Sequence, residues 1–294
     1  MSSWLDSIAE VLPIASEVES ASPVGGGCIS DAQKLVIKLR EGGRQTLFAK
    51  SNDASFLDNF QCEADGLQRL AAVEAIRVPS PVAVGIAGDA AVLVLEWIET
   101  GRRGSDFFAA FGRQLAQLHH KSLGDAIGLD RDNYLGSARQ INASADNWPS
   151  FFAEHRIEYQ LRWAVDQGLA SERLRRDVQQ IIDRMESLLA GREEATSLLH
   201  GDLWSGNYLS DDQGRPVIID PAVYYGCREA EFGMLKLFGA CPADFYEAYE
   251  EAFPLPAGWQ QRVSVYLLYH LLNHLNLFGS GYRSQCESVA AQIL

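Results

Sequence analysis

The stretch from Leu199 to Asp220 limits the possible folds more than any other. Leu199-His200-Gly201-Asp202-Leu203-Trp204-Ser205-Gly206-Asn207 sets an aspartate and an asparagine five positions apart, directly behind a His-Gly. Asn207-Tyr208-Leu209-Ser210 then leads through the turn-prone Asp211-Asp212-Gln213-Gly214-Arg215 into Pro216-Val217-Ile218-Ile219-Asp220. Two short apolar runs around a glycine-containing loop read as a β-hairpin. With the loop centred near Gln213–Gly214, Asn207 faces Asp220 across it. The expectation is a carboxylate and an amide oxygen brought together beside Asp202. Such oxygen donors suit Mg²⁺, which completes its shell with water and phosphate oxygens. In phosphoryl transfer this spacing supplies a carboxylate that takes the proton of an acceptor hydroxyl, and an amide that holds a metal ion. A lone Asp or Asn is an ordinary turn former. Here the His-Gly, the hairpin register and the second aspartate coincide, and the chemical reading is preferred.

The front of the chain fits a nucleotide-binding lobe. Gly25-Gly26-Gly27-Cys28 precedes Gln33–Leu39, whose partial alternation predicts a strand. Consecutive glycines make a sharp turn or let the backbone approach a ligand closely. Glu41-Gly42-Gly43-Arg44 is a turn, and Gln45–Lys50 is a second strand. Phe60–Ala71 has helical period, with Glu63, Leu67 and Leu70 on one face. A carboxylate on an apolar face must pair or stay protonated. Lys50 is the nearest candidate partner, and a Lys–Glu pair is the device that positions a phosphate-binding lysine. Ala91–Leu95 is a continuous apolar run, hence a buried strand, and it ends at Glu96-Trp97-Ile98. Backbone just past such a strand is where an adenine edge would be hydrogen-bonded. The polar, glycine-rich stretch that follows marks a lobe boundary, with a hinge at about 96–105. The domains expected are 1–98, nucleotide-binding, and 99–294, catalytic and acceptor-binding.

From Asp106 the pattern is helical. Phe107, Phe111, Leu115 and Leu118 mark one helix face, ending near His119-His120. Adjacent histidines point to different faces of a helix, so they are not a metal pair. Trp148–Gln167 reads as one helix stopped by Gly168, and Ser171–Leu189 as another, capped by Ser171. Residues Ile8–Val18 read as helix or irregular chain. Glu229 and Glu231 precede an apolar helix and take a structural role. Helices around Phe245–Ala252 and Trp259–Phe278 close an α-rich lobe.

Composition excludes several classes. The net charge is −14 with no basic run, so nucleic acid is not an expected partner. An acidic surface repels ATP, so a nucleotide site must bring its own cation, a Lys or Mg²⁺. Val263–Phe278 carries two histidines and two asparagines, too polar for a membrane span. Met1–Asp6 has no basic n-region followed by an apolar core and does not read as a secretory signal. The five cysteines, Cys28, Cys62, Cys227, Cys241 and Cys286, are scattered and lack CxxC spacing. The expected compartment is the reducing cytoplasm.

These motifs together resemble the fructosamine kinase (ketosamine-3-kinase) family. The matching pieces are Gly-Gly-Gly-Cys-Ile-Ser at 25–30, Leu-Glu-Trp-Ile at 95–98, Asp-Asn-Tyr-Leu-Gly at 132–136 and His-Gly-Asp-Leu-Trp-Ser-Gly-Asn at 200–207. Asp-Pro-Ala-Val-Tyr-Tyr-Gly at 220–226 and Leu-Tyr-His-Leu-Leu-Asn-His at 268–274 complete them. One departure is Cys227, where the family pattern has His before Arg-Glu.

The resemblance implies an α+β, bilobal protein-kinase-like fold with a small β-rich N-lobe and a larger α-rich C-lobe. It implies ATP-dependent phosphorylation of the 3-hydroxyl of a ketosamine, free or on protein, giving a labile phosphate whose loss frees the amine. By position, Asp202 is the base, Asn207 and Asp220 bind Mg²⁺, and Lys50 binds ATP phosphates with Glu63 behind it. The glycine loop Gly25, Gly26, Gly27 and Cys28 covers the nucleotide, and Glu96, Trp97 and Ile98 contact adenine. Trp204 resembles the family's platform for the sugar, with Tyr224 beside the acceptor. Cys28 resembles a redox-linked cysteine, so a monomer is expected, with a Cys28-linked dimer as its oxidised form. The alternatives are an aminoglycoside- or choline-type kinase and a non-catalytic nucleotide-binding module.

Overall fold

The computed structural model describes residues 4–25 and 29–294. The chain divides into two compact units, one running up to Phe107 and including Leu209–Asp220, the other formed by Phe108–Tyr208 and Pro221–Leu294.

The first unit opens with helix α1 (Trp4–Val11), followed by strands β1 (Ala15–Pro23), β2 (Asp31–Leu39) and β3 (Arg44–Asp53). Helix α2 (Leu57–Ala72) and strands β4 (Pro81–Ala87) and β5 (Ala90–Glu96) complete it. The five strands form one antiparallel sheet in the order β1-β2-β3-β5-β4. Alternation decides what each strand buries. Leu35 and Ile37 of β2 and Leu47 and Ala49 of β3 join Ile8, Leu12, Val92 and Val94 in one core. Lys50, one step past Ala49, is thereby turned to the opposite sheet face. Strand β1 occupies a stretch expected to be helical or irregular at its start. It is a Ser- and Glu-rich edge strand that buries only Ala15 and Val18, so its periodicity is faint.

The second unit is mostly helical. Helix α3 (Phe107–Lys121) is followed by the hairpin β6 (Asn133–Leu135) and β7 (Ala138–Gln140). The expected helix at 148–167 is α4 (Trp148–Phe152) and α5 (Tyr159–Asp166) joined by a π-helical stretch, Ala153–Glu158. The expected helix at 171–189 is α6 (Glu172–Asp183) and α7 (Met185–Leu188), with Ser171 Oγ accepting from the Leu174 N–H as a cap. Strand β8 (Ser197–Leu199) leads to the hairpin β9 (Tyr208–Ser210) and β10 (Pro216–Ile218), then β11 (Tyr224–Gly226), which pairs with β8. Helices α8 (Glu231–Leu237), α9 (Ala243–Ala252), α10 (Trp259–Phe278) and α11 (Arg283–Ile293) finish the chain. Among the described residues no helix is long and apolar enough to cross a membrane.

Residues Leu209–Asp220 join the first unit through a buried charge network. Asp211 is fully buried and its carboxylate sits 2.8 Å from Arg77 Nη1 and 2.8 Å from Arg215 Nη2. The other guanidinium arm of Arg77 reaches Glu96 at 2.8 Å, and the Ile218 N–H donates to the Arg77 carbonyl at 3.0 Å. Burial alone would raise the Asp211 carboxyl. The backbone and side chain of Arg215, with Arg77 and the Gln213 N–H, outweigh it and hold the group at about 2. The folded-state value lies below the ordinary 3.8, so this stabilisation is full above 3.8 and is lost as pH falls toward about 2. We expect Asp211→Ala to cost roughly 3 kcal/mol at pH 7, the scale for removing one partner of a buried pair. Denaturant titration at pH 7 checks it; a change below about 0.5 kcal/mol would show that the network is not what fastens the hairpin.

Candidate active site

In the first unit Lys50 is the centre. Its Nζ lies 2.7 Å from Glu63 Oε1 and 2.7 Å from Asp220 Oδ1. Strand β3 presents the lysine, α2 presents Glu63 beside the buried Leu67 and Leu70, and the residue after β10 and Ile219 presents Asp220. Burial works against the Lys50 charge, but Asp220 and Glu63 more than compensate and raise its pKa. For Glu63 burial comes first and pushes the carboxyl up, Lys50 opposes it, and Asp220 adds to the rise. Two carboxylates thus share one ammonium, which leaves surplus negative charge. Asp220 is the accessible member, its side chain 39% exposed. It also holds a left-handed backbone, φ +57°, which costs a non-glycine residue roughly 1 kcal/mol or more. A hard divalent cation fits this surplus. Mg²⁺ uses one or two protein carboxylates and takes its other ligands from phosphates and water. No group of three or more His, Cys, Asp or Glu placed to hold a metal occurs among the described residues.

Glu96 is largely committed. Its N–H donates to Ser80 O at 2.8 Å, and its carboxylate accepts from Arg77 and from the Ser80 N–H. Its side chain is therefore occupied in structure. The Trp97 ring lies under Lys34 Nζ at 4.4 Å, and Ile98 is buried. A Cβ on Gly25 would meet nothing within 4 Å. Gly26, Gly27 and Cys28 lie outside the described residues.

In the second unit three hydrogen bonds, from Ala222 and to Glu231, hold the loop after β8. Ala222 N–H donates to the His200 carbonyl at 2.8 Å. The buried Glu231, first residue of α8, accepts from the His200 N–H at 2.6 Å and the Gly201 N–H at 3.1 Å. Burial would raise the Glu231 carboxyl, but His119, His200 and the backbone donors bring it below the usual range. The loop thus rests on a charged carboxylate. Gly201 has φ +82°, and a Cβ there would stand 2.1 Å from the Ala222 carbonyl oxygen. Both facts demand glycine. Gly201→Ala should cost at least about 2 kcal/mol from the backbone and overpacking terms together. Calorimetry should show a melting point several degrees lower; an unchanged one would contradict this geometry.

Asp202 follows, its N–H donating to His200 Nδ1 at 3.3 Å. Asn207 Nδ2 donates to the Asp202 carbonyl at 2.8 Å and to its carboxylate Oδ2 at 3.0 Å. The asparagine therefore orients the Asp202 carboxylate with its NH₂, while its amide oxygen is the type of donor Mg²⁺ takes. Leu203 is buried and pins the loop, and Trp204 is half-buried. The indole lies across Gly206, where a Cβ would stand 2.4 Å from the ring. Gly206 thus leaves the ring room to approach the backbone.

Tyr224, expected beside the acceptor, requires correction. It is 1% exposed, stacked 6.3 Å from Trp148 at 8° and covered by the Arg156 guanidinium at 4.3 Å. Burial pushes its hydroxyl up to about 12. It is a core residue that braces β11. Cys227 is also buried, its thiol raised to about 12 by burial and then by Glu229, so the departure from the family pattern is a matter of packing. The structural role expected of Glu229 takes the form of a buried pair with Arg262, 2.6 Å. Sequence reasoning placed Glu231 only as a helix-start acid. The one available signal for its clamp is a carboxylate heading a mostly apolar helix.

The α+β fold, with a lysine paired to a helix carboxylate and an Asp-x₄-Asn loop, defines a kinase-like phosphotransferase. The fructosamine kinase family model matches residues 1–294, and the chain belongs to that family. It is 41% identical over 279 residues to a probable ketoamine kinase of Synechocystis sp., covering 94% of this chain and 91% of that protein. A chloroplastic protein-ribulosamine 3-kinase of Oryza sativa is 40% identical over 277 residues, covering 94% and 79%. A crystal structure of a putative fructosamine-3-kinase from Haemophilus somnus is similar with TM-score 0.86 at 30% identity, covering 98% and 97%. A solved aminoglycoside phosphotransferase, at 15% identity and TM-score 0.61, shares the fold.

Proposed function

We propose that this chain transfers the γ-phosphoryl group of ATP to the 3-hydroxyl of a ketosamine, the sugar adduct that glycation leaves on an amine. The observation that carries the kinase reading is Lys50, 2.7 Å from both Glu63 and Asp220. The ketosamine rests on family membership and on the relatives' names. Asp202, oriented by Asn207, accepts the hydroxyl proton as the oxygen attacks phosphorus and ADP departs. Lys50, kept charged by its two carboxylates, binds phosphate oxygens, and backbone at Trp97 and Ile98 meets adenine. Asp220 and Asn207 are the residues that would hold Mg²⁺, which when bound neutralises phosphate charge. Trp204 offers a flat apolar face to the sugar. The setting is cytoplasmic, and the acceptor is either free or attached to protein.

Purified protein with Mg-ATP should be offered ribulose-lysine, fructose-lysine, kanamycin and choline while ADP release is followed. Transfer to the ketosamines is the expected result. Transfer only to kanamycin or choline would overturn the acceptor. Tight ATP binding with transfer to none would favour a non-catalytic module.

A further inference from the structure

The proposed acceptor carries an ammonium next to its sugar, and no carboxylate in the loop around Asp202 has been assigned to meet it. A row of aromatic rings offers another answer. Phe238 lies just past α8, its ring 5.1 Å from Trp204. His274 follows at 5.2 Å from Phe238, and Phe278 and Tyr282 lie 5.4 and 5.2 Å from His274. Phe238 is 38% exposed and Phe278 is 54% exposed, the most exposed large apolar side chain among the described residues.

The rings sit where α10 ends. That helix has 20 residues, stops at Gly279, and has no basic residue in its last turn. The Leu275 and Asn276 carbonyls accept from the Gly279 N–H at 3.0 Å and from Gln167 Nε2 at 3.5 Å, and the helix end keeps the negative pole of a long dipole with no cationic side chain of its own last turn against it. Aromatic faces favour a cation for the same electrostatic reason. The imidazole in the row adds no opposing charge. Burial lowers the His274 pKa against the His270 carbonyl that raises it, and the ring is neutral at pH 7.

We propose that Phe238 and Phe278, continuing the face begun by Trp204, hold the alkylammonium arm of the acceptor at the C-terminal end of α10. This rests on the ketosamine reading above and makes that site selective for sugars carrying a charged amine. A neutral apolar arm would gain from the rings but nothing from the helix end, so the ammonium is the occupant that uses both features.

The test compares fructose-lysine with a 1-O-alkyl fructose of the same chain length, a neutral ether. Substituting Phe→Leu keeps apolar bulk and removes the π face. Wild type should prefer the ammonium acceptor in kcat/KM. Phe238→Leu and Phe278→Leu should each cut that preference about threefold, and the pair together about tenfold, with the KM for Mg-ATP unchanged. Should the double variant fold poorly, Phe278→Leu alone, at the more exposed position, decides. An unchanged preference in the variants, or equal use of both acceptors by wild type, overturns the proposal alone. No transfer to either acceptor by wild type overturns the ketosamine reading and this proposal with it.

Discussion

Asp202→Asn should reduce turnover by roughly 10²–10⁴, the range that general-base assistance supplies. The substitution keeps the shape of the side chain. It removes the charge and the proton-accepting oxygen, and the Asn207 amide that now donates to Oδ2 at 3.0 Å can still face an amide oxygen. The loop's supports, Glu231 and Ala222, do not touch the substituted atoms. ATP affinity should stay near wild type, because Lys50, Glu63 and Asp220 are unchanged. Single-turnover kinetics with bound ATP would separate the two quantities. Turnover within threefold of wild type would remove Asp202 from the role of base.

Lys50→Met should have an effect of similar size for a different reason. It withdraws the ammonium that lies between Glu63 and Asp220 and leaves two carboxylates facing each other. Loss of one preorganised charge contact to a phosphoryl group typically costs ~10²–10³ in kcat. Stability should fall as well, since a partly buried pair has lost one member. The second effect can be separated from the first. Adding Glu63→Gln to Lys50→Met relieves the repulsion, so the double variant should recover part of the lost melting temperature and none of the activity. Recovery of activity would mean that Lys50 acts only as a structural ion-pair partner. A lone Glu63→Ala should resemble a milder form of the lysine change.

Features set by local periodicity were the most readable in the amino-acid sequence. The apolar run at Ala91–Leu95 is a buried strand, Leu67 and Leu70 lie on the buried face of α2, and a hairpin follows Asn207. The pairing of Lys50 with Glu63 was inferable because a carboxylate on an apolar helix face needs a partner close by. Strand β1 was not legible, because an edge strand of serines and glutamates carries little alternation. Nor was the π-helical stretch at 153–158, where Arg156 leaves its helix register to cover Tyr224 and bond Asn142 at 2.8 Å. Tyr224 itself was assigned by motif position. Only the residues packed around it, Trp148, Phe151 and Arg156, reveal that it is core. The Arg77–Asp211 pair spans 134 residues, and the Glu231 clamp reaches back 31 to His200. No local pattern encodes partners at such separations.

The proposed reaction phosphorylates one position on a sugar. The most direct measurement is phosphorus and carbon NMR of the product formed from Mg-ATP and a ketosamine of lysine. The expected result is a single phosphate ester on the 3-oxygen, absent with Asp202→Asn, that decays on standing as free lysine appears. A phosphate on any other hydroxyl, or a stable ester that releases no amine, would contradict it.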